Sequence, residues 1–390
     1  MMPASFAPLD YLSVDSSLTD VERDIRDAVR VFVRDRILPY VGEWFEQARL
    51  PVEIVRELGK LGILGMHLDG YGCAGTSATA YGLACLELEA GDSGIRSLVS
   101  VQGSLAMFAI HRWGSEEQKL EWLPRMAAGE AVGCFGLTEP DSGSDPGAMR
   151  TSARRDGPDW ILRGRKMWIT NGSIAEVAVV WARTDEGVRG FLVPKGTNGF
   201  RAQDIRKKLS LRASITSELI LDDVRLPASA MLPGATSLRG PLACLNEARY
   251  GIVWGAAGAA RACLEAALDY STTRVQFGKP IASFQIQQQK LAAMALEVNR
   301  ATVLAVHLGR LKDAGRLRPE QVSMGKLGNV NAALDVARAA RQMLGANGIS
   351  LEYPVIRHLA NLESVVTYEG TADVHTLVIG GALTGIDAFR

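Results

Sequence analysis

Cysteine is scarce in this sequence. Its 390 residues hold five (Cys73, Cys85, Cys134, Cys244 and Cys263), an odd number with no Cys-x-x-Cys pair. That usage argues against a disulfide framework or thiolate metal site and predicts reduced, buried thiols in a cytoplasmic protein. Excess charge is missing too: Lys+Arg and Asp+Glu each number 43. A balanced chain is not built to grip a polyanion. No run of about 18 or more apolar residues occurs, so no membrane span is expected. The N-terminus lacks the basic-then-apolar order of a secretory signal and the Arg-rich amphipathic pattern of a transit peptide. Repeats and low-complexity tracts are also absent.

What is present is ordinary globular material, 47% hydrophobic and 22% charged, long enough for roughly two to three domains. Residues 1–18 read as a loose lead-in. Thr19-Asp20-Val21-Glu22 has capping-box spacing, and the apolar residues from Val21 to Val33 repeat at helical intervals up to Pro39. Pro51 is expected to open a helix that Gly59 and Gly62 end. Thr76 or Ser77 should start another, broken at Asp92-Ser93-Gly94. A second capping box follows at Ser115 to Gln118. From about residue 132 short β-rich runs separated by Gly, Pro, Asn and Asp predict a small antiparallel sheet or barrel. They are Cys134–Thr138, Trp160–Thr170, Val177–Thr184, Gly190–Pro194 and Glu218–Leu226. From about Leu238 long helical segments predict a bundle. The expected division is an N-terminal helical domain over 1–131, a middle β domain over 132–237 and a C-terminal helical bundle over 238–390.

Five short stretches carry candidate chemistry. Cys134 to Asp145 runs from a strand into a turn of small and hydroxylated residues, which lets backbone N–H groups approach a polar ligand and equally describes a plain β-turn. Lys166 to Asn171 places an indole and a hydroxyl on one strand, although a strand Trp is usually core. Arg274 to Pro280 is a basic-aromatic turn that suits a diphosphate or a helix C-terminus. Gln342 to Gly348 reads first as a helix C-cap. Thr367-Tyr368-Glu369-Gly370-Thr371 sets a carboxylate between an aromatic ring and a glycine at a helix junction. Alone it reads as a solvated turn; in an apolar setting it suits a general base.

In their order and spacing these five stretches resemble the signature segments of the acyl-CoA dehydrogenase family, from about residue 19 to the end. The resemblance implies a fold of N-terminal helices, a middle β domain and a C-terminal four-helix bundle. It implies non-covalent FAD and removal of two hydrogens from the α and β carbons of an acyl-CoA thioester. Phe135, Leu137, Thr138, Trp168, Ile169 and Thr170 match residues against the flavin, and Ser144 lies where FAD and the CoA chain meet. Arg274, Phe277, Gln285, Gln342, Met343, Leu344, Gly345 and Ala346 match contacts to the diphosphate and adenosine, supplied partly by a neighbouring subunit of a homotetramer. Thr371 matches a further FAD contact. Leu242, Asn246 and Arg249 lie on the matching substrate-lining helix, and Gly370 adjoins the base.

Some members carry the base just before the arginine matching Arg249. Here that position is Ala248, and Glu247 is about 100° away around a helix, which leaves Glu369 as the base. Runs Tyr71 to Gly75, Asp92 to Ser97, Ser210 to Ser214 and Thr367 to Thr371 resemble the glutaryl-CoA-oxidising branch of the family. There the residue matching Arg96 faces the substrate's free carboxylate, with Ser97, Thr170, Glu89 and Tyr368 around it. Read without the resemblance, Arg96 and Glu89 are a structural ion pair. With it, the expected reaction converts glutaryl-CoA to crotonyl-CoA and CO2, and electrons pass to an electron-transfer flavoprotein. Ile95 and Val366 depart from residues found in relatives without removing a catalytic group. A short monoacid or non-decarboxylating dehydrogenase, an oxidase and a catalytically silent flavin scaffold are the alternatives.

Overall fold

Helix starts follow the capping chemistry. The computed structural model describes residues 9–389; the first eight residues of the expected lead-in lie outside them. Helix α1 (Asp20–Phe32) begins at a closed capping box, in which Thr19 N–H donates to the Glu22 carboxylate at 2.8 Å. A π-type turn (Val33–Ile37) continues it, and two short helices follow, α2 (Val41–Glu46) and α3 (Ile54–Lys60). The α2 turn was hidden by Pro39, which reads as a stop. Helix α4 (Ala78–Gly91) ends at Asp92, whose extended backbone breaks the helix while its carboxylate accepts the Gly94 N–H at 2.6 Å. One residue thus closes α4 and caps α5 (Ser93–Ser100). A second π-type turn (Val101–Met107), α6 (Phe108–Trp113) and α7 (Glu116–Ala127) complete the block.

The middle block is one seven-stranded sheet: β1 (Gly133–Gly136), β2 (Ser152–Asp156), β3 (Asp159–Thr170), β4 (Val177–Thr184), β5 (Gly187–Pro194), β6 (Phe200–Asp204) and β7 (Thr216–Pro227). It runs in the order β1-β4-β2-β3-β7-β6, with β5 on β4. Most pairs are antiparallel as expected. However, β1 pairs with β4 in parallel, Gly133 opposite Val177, because the β2–β3 excursion returns the chain in its starting direction. Strands β2 and β6 were not legible; their Ser-Ala-Arg-Arg-Asp and Phe-Arg-Ala-Gln-Asp sequences become strands through pairing with β3 and β7.

The third block holds α8 (Arg239–Thr273), a two-residue hairpin β8/β9 (Val275–Gln276, Lys279–Pro280), α9 (Gln285–Asp313), α10 (Pro319–Met343), α11 (Pro354–Val365) and α12 (Ala372–Thr384). By length and composition α9 is apolar enough to cross a membrane, with a window of mean hydropathy 1.3, which the sequence reading did not anticipate. It lies along α8 and α10 as a bundle helix, and 39% of that window is buried within the chain. Helix α8 also packs along α4, tying the two helical blocks together.

Candidate active site

Helix α4 is buried on all sides from Thr79 onward, yet it carries two carboxylates, Glu87 and Glu89. Buried carboxylates require partners. Glu87 is closed by two arginines, Arg30 at 2.8 Å and Arg261 at 2.7 Å. Glu89 has one: Arg96 Nε donates to its Oε2 at 2.6 Å, and both side chains are fully buried. This second pair is incomplete, since Glu89 Oε1 and Arg96 Nη1 have no partner among the described residues. The expected ion pair therefore forms and still leaves valences open.

Glycine on α8 makes room for it. A Cβ at Gly255 would stand 1.9 Å from Glu89 Oε2 and 3.2 Å from Arg96 Nε; one at Gly258 would stand 1.9 Å from the Leu86 carbonyl oxygen. In a free helix Gly255→Ala would stabilise by about 1 kcal/mol. Here overpacking should reverse the sign, giving a net loss of about 1–2 kcal/mol in denaturant unfolding. An unchanged or raised midpoint would mean that Glu89 and Arg96 can move aside freely.

Tyr368 joins this pair to the loop Thr367–Thr371. Arg96 Nη2 donates to Tyr368 Oη, Ser97 Oγ lies 3.3 Å from the same oxygen, and Arg96 Cζ sits 5.7 Å from the ring centroid. Burial works against the charge of Arg96, but the Glu89 carboxylate beside it outweighs that and the guanidinium stays firmly protonated. Burial also raises the Tyr368 phenol, which stays neutral. The adjoining Glu369 has a left-handed backbone, φ 54°, and its Oε2 is buried without a partner. Burial raises its carboxyl above the ordinary range; Arg96, Lys326 and Arg249 pull the other way and do not cancel it.

The loop is held through its backbone. Arg249 Nε on α8 donates to the Glu369 carbonyl at 2.7 Å, and Lys326 Nζ on α10 donates to the Gly370 carbonyl at 2.6 Å and to that of Tyr368. Gly370 (φ 97°) is required because a Cβ would meet His375 Nε2 at 2.8 Å. Asp92, besides capping α5, accepts from Arg357 at 2.6 Å and from Asn361 at 2.9 Å on α11. The helix bearing Arg96 is thus anchored to the helix leading into the loop. The rival base positions are closed. Ala248 is in the core, and Lys312 Nζ donates to both Glu247 oxygens at 2.8 Å.

On the sheet, Lys166 is buried and donates to the Leu137 carbonyl at 3.0 Å and to Glu139 at 2.8 Å. Glu139 in turn accepts the Arg150 and Thr151 N–H groups at 2.6 and 2.9 Å, which fixes the turn after β1. The β3–β7 register shifts between Lys166 and Ile169, and Trp168 there has φ 63° and is 57% exposed. A bulge has turned this indole out of the core. Met167 N–H donates to the Thr138 carbonyl at 2.8 Å, which sets Thr138 beside it. Thr170 is half-buried and Ser144 exposed.

The residues expected at the cofactor fall in different settings. Phe135, Leu137 and Ile169 are buried, as are Met343 and Leu344. Alternation along a strand sends every second residue inward. The Thr371 hydroxyl accepts the Val374 N–H at 3.2 Å as the cap of α12, which leaves its own O–H to donate. Arg274, Phe277, Gln285, Gln342, Gly345 and Ala346 are exposed and sit at the other end of the bundle, near the Asn347–Tyr270 hydrogen bond of 3.1 Å. Arg249 and Arg274 are separated by roughly 37 Å along α8, at 1.5 Å per residue. Nearer the base, Asn246 and Ala243 of α8 line a cavity of about 320 Å³ with Phe108, Lys312 and Arg318. The roles of Lys326 and Gly255 were not read from the sequence.

Three family models match in chain order. They are described as acyl-CoA dehydrogenase N-terminal domain over 19–130, middle domain over 134–224 and C-terminal domain over 239–384. The chain belongs to the acyl-CoA dehydrogenase family. Among solved structures, this acyl-CoA dehydrogenase is similar to a glutaryl-CoA dehydrogenase from Mycobacterium smegmatis. That pair has 66% identity, TM-score 0.97, and coverage of 98% of this chain and 100% of the other. A glutaryl-CoA dehydrogenase from the same organism in complex with FADH2 gives 62%, 0.98, 99% and 100%. The short-chain specific acyl-CoA dehydrogenase of Bos taurus mitochondria is 35% identical, over 96% of this chain and 92% of its own.

Proposed function

We propose that this chain binds FAD and converts glutaryl-CoA to crotonyl-CoA and CO2, with Glu369 as the base and Arg96 as the receptor for the free carboxylate. One observation carries the reading. A fully buried arginine with an unpartnered Nη1 is joined through Tyr368 to a buried carboxylate with an unpartnered Oε2. A substrate with a carboxylate at one end and an acidic C–H nearer the other satisfies both atoms. An apolar acyl tail would leave Arg96 Nη1 unsatisfied. The similarity to glutaryl-CoA dehydrogenases at 62% and 66% identity supports it.

The residues present fit a flavin. An exposed indole on a bulge and a 93% exposed Phe277 are large apolar groups that a planar ring system would cover. Thr138, Trp168 and Thr170 would hold it in one chain. Arg274, Phe277, Gln285 and the exposed residues Gln342, Gly345 and Ala346 would reach it from a second copy, since they lie at the far end of the bundle. When bound, FAD supplies the acceptor for the β-hydride.

The protein's part is proton handling and positioning. Glu369 removes the α proton. The peptide is planar and trans, so the Glu369 N–H points opposite the Tyr368 carbonyl and is free to polarise the thioester oxygen. Arg96 and Ser97 hold the γ carboxylate, and Glu89 shares the charge of Arg96 and keeps that hold from opposing CO2 loss. After CO2 leaves, protonated Glu369 returns its proton to the γ carbon, giving the crotonyl product. We place the CoA chain at the cavity beside Asn246, and reoxidation by an electron-transfer flavoprotein completes the cycle.

Anaerobic titration of the FAD-loaded protein with glutaryl-CoA tests this reading. Bleaching of the visible flavin band with release of crotonyl-CoA is the expected result. Bleaching with butyryl-CoA alone would replace the dicarboxylate substrate with a monoacid one, and no response to any acyl-CoA would leave a silent scaffold.

A further inference from the structure

We propose that Lys326 is a positioning residue for catalysis: by gripping the carbonyls on both sides of Glu369, it aims the N–H and the carboxylate of that residue into the site. The inference rests on Glu369 being the base. Three successive carbonyls, those of Tyr368, Glu369 and Gly370, accept from cations on two bundle helices, Lys326 taking the outer two and Arg249 the middle one. Each peptide is planar and trans. Fixing these carbonyls toward α8 and α10 therefore turns the N–H groups of residues 369, 370 and 371 the opposite way.

Lys326 is 1% exposed and occupies the apolar stripe of α10 with Val322, Val330 and Ala333. Loss of its hydrogen bonds would leave two loop carbonyls without this donor. Among the described residues it has no carboxylate hydrogen-bond partner: its contacts are the Tyr368 and Gly370 backbone oxygens. The charged groups acting on it and on Glu369 are Arg96 on α5, Arg249 on α8 and Glu89 on α4, with Tyr368 beside them in the loop. His375 on α12 is buried and held neutral, its pKa lowered to about 3 by burial and by Lys326 and Arg249. It bonds Ser323 at 3.0 Å and adds no charge. Burial, with Arg249 and Arg96, pulls the Lys326 amine down to about 7 against the opposing pull of Glu369, so it is cationic on the acidic side of neutrality, and there it has two separable effects. Its N–H groups orient the loop, and its charge favours ionised Glu369 and draws the carboxyl back from the rise that burial imposes.

The test uses FAD-loaded Lys326→Met, which removes both effects, and Lys326→Gln, which keeps a donor without charge. Lys326→Met should lower kcat at neutral pH by about 10²-fold, the loss expected of a misaimed base. Because the base acts ionised, removing the cation must move the acidic limb of the kcat profile to higher pH, by about one unit. Lys326→Gln should recover most of the high-pH kcat while its acidic limb stays displaced. Exchange of the α proton of a non-oxidisable acyl-CoA thioester with solvent should follow the same order. If the limb of Lys326→Gln coincides with wild type and kcat falls only as far as the melting temperature does, Lys326 is a buried structural residue and the proposal fails. Glu369→Gln in parallel separates the two readings: full activity there overturns the base itself, whereas an inactive Glu369→Gln beside a Lys326→Met of normal kcat overturns only the positioning role.

Discussion

Glu369→Gln should lower turnover of glutaryl-CoA by about 10⁴-fold, the upper end of what a general base supplies, with substrate binding close to wild type. The size follows from the lack of a substitute. Glu247 is tied to Lys312, and Glu89 is hydrogen-bonded to Arg96 at 2.6 Å. Glutamine keeps the volume and the backbone, so the clamps of Arg249 and Lys326 stay in place. In the unaltered protein the same chemistry sets the pH dependence. Burial raises the Glu369 carboxyl, and the protonated form cannot take the α proton. Turnover must fall as pH drops through that raised value, while Arg96 remains charged across the range. Stopped-flow flavin reduction across pH with both proteins checks this; a Glu369→Gln rate within tenfold of wild type would sink the assignment.

The second large effect belongs to the far end of the pocket. Replacing the buried pair together, Arg96→Met with Glu89→Gln, should reduce kcat/KM for glutaryl-CoA by about 10²- to 10⁴-fold. That corresponds to about 3–5 kcal/mol for one partner lost from a buried charge pair. The double change is the informative one, because Arg96→Met alone would strand Glu89 beneath α8 and confound binding with folding. The substrate is expected to pair with Arg96, so removing the guanidinium should cost the dicarboxylate far more than the monoacid. Steady-state kinetics with glutaryl-CoA and butyryl-CoA should show the preference narrowing or inverting. An equal loss for both would mean that Arg96 serves only the architecture.

Much of this site was readable in one dimension. Capping boxes at Thr19 and Ser115, the helix break at Asp92 and the bundle helices were visible because each depends on residues within a turn of one another. Strands β2 and β6 were not, since charged five-residue segments become strands only when β3 and β7 supply their partners. The pair Glu89–Arg96 was legible as an ion pair seven residues apart, and it forms, buried, with one unpartnered atom on each side among the described residues. What escaped was whatever depends on two helices meeting. Lys326 did leave a trace, a lysine at a helical interval among buried apolar residues, but only the fold shows that it faces a loop more than forty residues later. The outward turn of Trp168 depends on a bulge in its register with β7, which no local propensity announces.

The tight seat of Gly255 against Glu89 and Arg96 also constrains how this pocket can evolve. While the ion pair is present, alanine at 255 is harmful. Once both charged side chains have given way to small apolar ones, the clash disappears, and the same alanine gains the roughly 1 kcal/mol that a helix interior grants over glycine. The substitution therefore shows sign epistasis. A lineage drifting from dicarboxylic to plain acyl substrates has to lose its charges first and fill the helix afterwards, and one returning has to regain the glycine before the arginine can be housed.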